Sequence, residues 1–157
     1  NIVALDLKDN WKMYLPVMAL SFVGMLPMII LAEKYHKTKS MLLVAVLILL
    51  MSQFLFYQTP LNYTTFFILL TLFFIAFNAL EAMLPSLISK TAGTDKRGLA
   101  MGMYSTSQFL GAFIGGVFGG WIYNTYDLNS VFLFTSFIAI IWWVIMLKMK
   151  QPIQEEN

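Results

Sequence analysis

The sequence contains no cysteine and very little charge. Of its 157 residues 11% are charged, and His36 is the single histidine. The absence of cysteine excludes disulfides, thiolate metal sites and cysteine nucleophiles. The lone histidine has no second ligand in a metal-binding motif, and no serine-hydrolase, zinc-protease or phosphate-loop motif occurs. We therefore expect the chain not to be an enzyme and to have no metal site, no cofactor and no nucleic-acid partner.

Apolar residues take the place of the missing charge. They make up 59% of the chain, whose mean hydropathy is +0.74, whereas soluble domains carry about a quarter charged residues. A transmembrane helix needs about 20 mostly apolar residues, and helices satisfy backbone polar groups in lipid. The sequence predicts an all-α, polytopic transmembrane helical bundle in a lipid bilayer, with five spans at about 12–31, 40–57, 64–88, 99–123 and 130–148.

Lysine and arginine concentrate at one set of span ends. That set comprises Lys34, Lys37, Lys39, Lys90, Lys96, Arg97, Lys148 and Lys150, and the other set has Lys8 and Lys12. Because cytoplasmic loops of membrane proteins hold the excess of Lys and Arg, we expect the C-terminus in the cytoplasm and residue 1 outside the inner or plasma membrane. A chain that starts outside at Asn1 has neither an initiator Met nor a signal peptide, so we expect missing N-terminal helices upstream.

Glu81 is a carboxylate inside the third predicted span. At 100° per residue Asn78, Glu81 and Pro85 share one narrow stripe of that helix. Glu81 lies roughly 10 Å from the basic end, where an unpaired charge costs several kcal/mol. Pro85 lacks an N–H and displaces the carbonyl of Glu81, so we expect an opened or kinked turn. The stripe is typical of a substrate or proton site, or alternatively of a buried structural partner for a basic residue elsewhere.

The fourth predicted span has a stripe of small residues. Gly111, Gly115 and Gly119 recur every four residues, which predicts close packing against another helix along a surface that can slide. Ser105 and Gln108 continue this stripe toward the basic end. Their side chains could hydrogen-bond a ligand or a neighbouring helix, and the sequence leaves both possibilities open.

Two segments resemble the major facilitator superfamily. Residues 30–39, ILAEKYHKTK, resemble its cytoplasmic loop signature, G-x-L-A-D-R-x-G-R-[RK], in the second-half copy; Ile29 and His36 stand where that pattern has glycine. Residues 95–120, DKRGLAMGMYSTSQFLGAFIGGVFGG, resemble the entry to the eleventh helix, especially in drug-efflux-type members. The matches to the loop signature are Leu31, Ala32, Glu33, Lys34 and Lys37.

The resemblance covers the whole chain and implies a partial C-terminal transmembrane domain over residues 1–157. The five spans would be the eighth to twelfth of a twelve-helix transporter whose two halves open alternately to each side. The resemblance further implies that Glu33, Lys34 and Lys37 belong to a charged latch at the cytoplasmic surface.

The sequence as a whole predicts a secondary active transporter, a proton-coupled multidrug or small-compound efflux antiporter. Glu81 would bind a proton or a cationic substrate, and Asn78, Gln108 and Ser105 would offer polar contacts. A proton-independent metabolite exporter or uniporter is the first alternative. The second is a non-transporting membrane subunit or a half-transporter fragment.

Overall fold

The structure, a computed structural model, describes residues 10–60 and 62–149. This part of the chain has five long α-helices and no strand, which confirms the all-α prediction, and each helix overlaps one predicted span. A 3-10 turn, Thr94–Lys96, precedes the fourth helix. Lys8 and Lys150, used above to predict orientation, lie outside the described residues. The helices are α1 (Asn10–Lys34), α2 (Thr38–Gln58), α3 (Tyr63–Thr91), α4 (Arg97–Thr125) and α5 (Leu128–Leu147).

Short connections with capping residues join successive helices. Asn62 Oδ1 accepts the Thr65 N–H at 2.8 Å at the start of α3, and Asp127 Oδ1 accepts the Ser130 N–H at 2.7 Å at the start of α5. Hydrogen bonds from the Ser130 side chain and backbone lower the pKa of Asp127 below its usual value. Such caps satisfy N–H groups that the first helical turn leaves unpaired. The short connections make neighbouring helices antiparallel, so Lys34, Lys39, Lys90, Arg97 and Lys148 share one end, here called the basic end.

The core lies between α1, α2, α3 and α5 toward the basic end. Small and flexible side chains dominate it, and Leu42, Ala45 and Val46 of α2 are fully buried at its centre. Alanine lets helix backbones approach, and unbranched methionine fills the irregular gaps that remain. The helix α2 therefore packs against both α3 and α5. The buried cluster is Met25, Met28, Ala32, Leu42, Ala45, Val46, Ala79, Leu80, Met83 and Met146.

The helices α1 and α3 approach each other closely at Gly24. A Cβ atom built on Gly24 would lie 2.6 Å from Ile75 Cδ1, closer than real Cβ contacts. One turn away, Asn78 Nδ2 donates a hydrogen bond to Ser21 Oγ at 3.0 Å, and Ser21 Oγ donates to the Met18 carbonyl at 2.9 Å. Steric fit and a hydrogen-bonded polar contact therefore fix the same crossing.

The helices α2 and α5 are joined along their length. Away from the basic end the Phe56 and Phe132 rings stack with centroids 5.0 Å apart. At the basic end Lys39 Nζ donates to the Leu147 carbonyl at 3.0 Å, where the negative end of the α5 dipole favours a cation. Between these points Thr135 Oγ1 donates to Gln53 Oε1 at 3.2 Å.

Four of the five helices, α1, α2, α3 and α5, are long and apolar enough to cross a membrane. The helix α4 is not among the four, although it has 29 residues, because seven of them are glycine and hydroxyl or amide side chains lie between these. It is also the least covered helix, since Ile122 is its one buried residue within the described chain. The apolar, lipid-facing character of the bundle therefore rests mainly on the other four.

Candidate functional site

A hydrogen bond joins Glu81 of α3 to Gln108 of α4. Gln108 Nε2 donates to Glu81 Oε1 at 2.6 Å. Glu81 is exposed and Gln108 is partly exposed in the described structure. The two residues are called the polar pair below. Glu81 and Gln108 are separate candidates in the sequence, and the structure brings them together across two antiparallel helices.

Tyr104 and Ser105 lie one helical turn from Gln108 on α4. Tyr104 precedes Gln108 by four residues, which places both on one face, and it lies close enough to Glu81 for an electrostatic interaction with the carboxylate. Ser105 is partly buried, and no side-chain hydrogen bond joins it to the described residues. Tyr104 therefore belongs to the surroundings of the polar pair, and the structure does not place Ser105 in direct contact with it.

Asn78 lies on the Glu81 side of α3 but bonds to a different helix. Its amide donates to Ser21 of α1, whose side chain is fully buried. The amide therefore holds α1 against α3 in this structure. Of the four predicted substrate or proton-binding residues, only Glu81 and Gln108 contact each other.

Pro85 lies inside α3, four residues after Glu81. The helix continues through Pro85 to Thr91, so the structure shows no unwound turn there. Because proline has no N–H, the Glu81 carbonyl loses the donor that a regular helix would provide. The local change at Pro85 is therefore a lost hydrogen bond within a continuous helix.

The glycine stripe of α4 contacts no helix of the described chain. A Cβ atom built on Gly111, Gly115 or Gly119 would meet nothing within 4 Å. The expected close packing is thus not provided by α1, α2, α3 or α5. The stripe is an open, nearly flat surface on the side of α4 that carries Gln108.

A second polar cluster lies at the basic end. Glu33, at the end of α1, forms an ion pair with Lys90, at the end of α3, and Ser86 Oγ donates to Glu33 Oε1 at 3.4 Å. Lys34 instead lies over the Tyr35 ring, 5.8 Å from its centroid. Lys37 is the N-terminal flanking residue of α2, where it has no side-chain capping bond. Glu33 of the expected latch therefore pairs with Lys90, and the two residues line a small cleft with Ala32, Thr38, Met83, Ser86 and Leu87.

The contacts of Lys90, Ser21 and Tyr104 are not indicated by the sequence pattern. Lys90 could have been found, since Glu33 is an acidic residue at the basic end and α1 and α3 both end there. Ser21 and Tyr104 could not, because their roles depend on how α1 and α4 rotate about their axes. Among the described residues, no group of three or more His, Asp or Glu side chains could hold a metal ion.

Together, five antiparallel helices, four of them long and apolar enough to cross a membrane, define a polytopic helical membrane protein with a polar contact between α3 and α4. Residues 10–157 match the Major Facilitator Superfamily, and the chain belongs to this family. It is 40% identical over 144 residues, or 92% of its length, to the inner membrane transport protein YajR of Escherichia coli K12. It is 35% identical over 114 residues, or 73% of its length, to the uncharacterized transporter BU466 of Buchnera aphidicola from Acyrthosiphon pisum.

The chain spans about a third of the length of these relatives, 32% of the first and 29% of the second. A third relative, an uncharacterized transporter of Buchnera aphidicola from Baizongia pistaciae, is 39% identical over 75 residues, which is 48% of this chain and 19% of that protein. All three relatives are named as transport proteins.

Proposed function

We propose that this chain is part of a secondary active transporter that exports small organic compounds by proton-coupled alternating access. In this proposal residues 1–157 supply the eighth to twelfth helices of a twelve-helix protein in the inner membrane. Membership in the Major Facilitator Superfamily and the transporter names of the relatives support membrane transport. The polar pair supports the more specific proposal that this transport is proton-coupled efflux.

The polar pair is the observation on which the proposal depends. Glu81 is an exposed carboxyl in the middle of an apolar helix, and its hydrogen-bond partner is a neutral amide. A full charge in such a position is costly, so ionisable residues within membrane helices mark ion and substrate pathways. An amide has both donor and acceptor atoms, so Gln108 can bond to Glu81 whether the carboxyl is charged or protonated. This pairing suits a group that exchanges a proton during transport.

The distribution of charge supports one orientation in the membrane. The basic end carries Lys34, Lys39, Lys90 and Arg97, and cytoplasmic loops hold the excess of such residues. We therefore place the basic end, with the Glu33–Lys90 latch and the C-terminus, in the cytoplasm, and the N-terminal end of this chain outside. The Glu81 carboxyl then lies within the membrane on the cytoplasmic side of its midplane.

The test measures proton movement in everted membrane vesicles that contain the complete transporter. Lipophilic compounds are added after a proton gradient has formed, and dissipation of the gradient is followed by a fluorescent pH probe. We expect a response in the parent protein, its loss in Glu81→Gln, and its partial retention in Glu81→Asp, which keeps a titratable carboxyl. Glu33→Gln is the matched control, because it removes an identical group outside the polar pair and should leave proton exchange possible.

The outcomes separate the alternatives. Equal responses in the parent and in Glu81→Gln, at equal expression, would make Glu81 structural and contradict its role in coupling. No proton response, together with substrate flux that is independent of pH, would favour a metabolite exporter or uniporter. The absence of both proton movement and flux would favour a non-transporting membrane subunit.

A further inference from the structure

Positive charge at the basic end is not balanced evenly. In the described chain the acidic residues of this end are Glu33, which pairs with Lys90, and Asp95, which directly precedes Lys96 and Arg97. Both acids therefore lie beside the basic residues of α1, α3 and α4. The helices α2 and α5 contain no Asp or Glu. Unbalanced positive charge is thus concentrated where α2 begins and α5 ends.

Two lysines meet at this place, here called the α2–α5 corner and defined by Lys39 and Lys148. Lys39 Nζ donates to the Leu147 carbonyl at 3.0 Å, which brings its ammonium group beside the backbone of Lys148. An ammonium group has three N–H donors, so Lys39 keeps donors for a further partner. Lys39 is partly exposed and Lys148 is exposed, and neither forms an ion pair with a described residue. The corner therefore presents two positive charges that can bind an anion.

Two tryptophans lie on the membrane side of these lysines. Trp142 and Trp143 come between the buried residues Ala139 and Met146, so their indoles flank the packed face of α5 on its two sides. Both are partly exposed, and no hydrogen bond joins their N–H groups to the described residues. At about 1.5 Å per residue they lie roughly 8 to 9 Å from Lys148 along the helix. Tryptophan at such a depth is typical of the membrane interface, where the indole N–H meets polar groups of lipids.

Apolar side chains continue from both lysines into the membrane. Leu43 and Leu47 follow Lys39 at intervals of four residues, so they lie along one face of α2, and Ile145 lies in the same way one turn from Lys148 on α5. Leu47 and Ile145 are exposed, and Leu43 is partly exposed. The corner thus combines cations at its tip, indole N–H donors beside them and apolar surface deeper in the membrane.

We propose that the α2–α5 corner binds the head group of an anionic phospholipid in the leaflet at the basic end. The phosphate lies between Lys39 and Lys148, an indole N–H donates to the lipid ester oxygens, and the acyl chains lie along the apolar side chains. Each lysine near a membrane surface adds attraction for anionic lipid. A lipid whose head group carries its own cation gains less, because the lysines repel that cation. The inference goes beyond the proposed transport function and does not depend on proton coupling.

Lipid binding to the purified complete transporter tests the corner. The protein in detergent is titrated with dioleoylphosphatidylglycerol, and bound lipids are resolved by native mass spectrometry. Dioleoylphosphatidylcholine, which has the same chains and phosphate but adds a quaternary ammonium group, is the comparison lipid. We expect Lys39→Gln and Lys148→Gln each to weaken phosphatidylglycerol binding about fivefold. Lys148→Arg, which keeps the charge, should bind as the parent does, and glutamine at position 39 keeps an N–H donor for the Leu147 carbonyl.

Lys96→Gln is the matched control, because it removes the same charge at the same end, beside Asp95 and outside the corner. Thermal stability of each variant is measured first, so that binding is compared between folded proteins. The proposal is contradicted if phosphatidylcholine binds the parent as tightly, if the variant with both Lys39→Gln and Lys148→Gln binds phosphatidylglycerol like the parent, or if Lys96→Gln weakens binding as much as Lys148→Gln. Displacement of the lipid by excess inorganic phosphate would indicate a free-anion site and would also contradict it. Glu81→Gln should bind phosphatidylglycerol as the parent does, so the lipid surface and the proposed proton coupling are tested separately.

Discussion

At the residue scale, Asn78 and Glu81 show how neighbouring polar side chains on one helix can have separate tasks. They are three residues apart on α3, and the sequence placed both in one binding stripe. In the structure Asn78 bonds to the buried Ser21 of α1, whereas Glu81 bonds to Gln108 of α4. The Asn78 side chain points toward α1, so it contributes to the packing of α1 against α3.

The structural role of Asn78 leads to a double-mutant prediction. Ser21→Ala and Asn78→Ala should each lower the free energy of unfolding, and the double variant should lose less than the sum because both changes remove one hydrogen bond. Interhelical hydrogen bonds in membranes contribute about 0.6 kcal/mol on average and at most about 1.7 kcal/mol. The coupling energy, measured by unfolding in mixed micelles, should lie in that range.

A coupling energy near zero would show that the two side chains act independently and would return Asn78 to the list of possible ligand contacts. Thr135→Ala in α5 serves as the control, because its partner is Gln53 of α2 and its effect should add fully to that of Asn78→Ala. Transport by the folded Asn78→Ala protein is the second readout. It should be retained if the amide only joins α1 to α3.

Residue type explains which site residues the sequence could predict. Glu81 could be selected from the sequence because a charged side chain inside an apolar span costs free energy whichever way the helix faces. Gln108 could be selected because its position continues a stripe of small residues. The contact between them could not, since it depends on the distance and rotation of α3 relative to α4. The same limit applies to Tyr104, whose sequence position shows an aromatic residue but not its proximity to Glu81.

At the element scale, the helix ends were the most predictable feature and the helix pairings the least. Both ends of each predicted span lie within about three residues of the ends of a helix in the structure. Runs of apolar residues and turn-forming connections mark these ends in the sequence. Which helices pack closely depends on three-dimensional fit, such as Gly24 against Ile75. Those contacts join residues that are far apart in the chain and have no distinctive sequence pattern.

The Glu33–Lys90 ion pair, the proposed latch, joins the ends of α1 and α3, and its exposure sets its strength. The Lys90 and Glu33 side chains are 43% and 49% exposed, so solvent screens the pair. Such pairs contribute about 0 to 1 kcal/mol, which is too little to decide folding. The upper value still changes the ratio of two conformations about fivefold. In the proposed transporter an ion pair of this strength would bias alternating access without locking it.

Charge reversal tests the latch. In the complete transporter Glu33→Lys should shift the balance between inward-open and outward-open states up to about fivefold, because it replaces attraction to Lys90 by repulsion. The double variant Glu33→Lys with Lys90→Glu restores opposite charges and should return the balance toward that of the parent. The measurement is the labelling rate of single cysteines introduced near each mouth of the cavity.

Lys34→Glu is the matched control for the latch, because Lys34 has the same charge at the same helix end and lies over Tyr35 instead of Glu33. Its labelling rates should change less than those of Glu33→Lys. If the charge-swapped double variant behaves like Glu33→Lys alone, the ion pair is not what sets the balance. Lys34 and Lys37, which match the loop signature in residue type, would then be the better candidates for residues that set the balance between the two states.

At the scale of the whole molecule, α4 differs from the other helices. It supplies Gln108 and Tyr104 to the candidate site, yet the described chain buries only its Ile122. Cβ atoms built on its glycine stripe would meet no atom of the described residues within 4 Å. The chain covers about a third of the length of its relatives, 32% in the first case. Under the proposed function, in which the chain is part of a twelve-helix transporter, a helix of the remaining part would pack on the glycine stripe.

This inference predicts opposite effects of one substitution on folding and on transport. Gly115→Leu should be tolerated by the described bundle, because nothing lies within 4 Å of the new Cβ and leucine favours a helix over glycine by about 0.5 to 1 kcal/mol. In the complete transporter the same side chain should block the approach of the partner helix and abolish most transport, while Gly115→Ala should retain more. Thermal stability and vesicle flux are measured on the same preparations.

Gly102→Leu is the matched control, since Gly102 is a glycine of α4 that is also open within 4 Å and lies on the opposite side of the helix from Gly111. Flux should survive Gly102→Leu and fail in Gly115→Leu. Equal flux in both variants would mean that no helix packs closely on the stripe, and the glycines would then have no part in movement between the two halves. Equal loss in both would show that α4 needs small residues all around, which contradicts a single packed face.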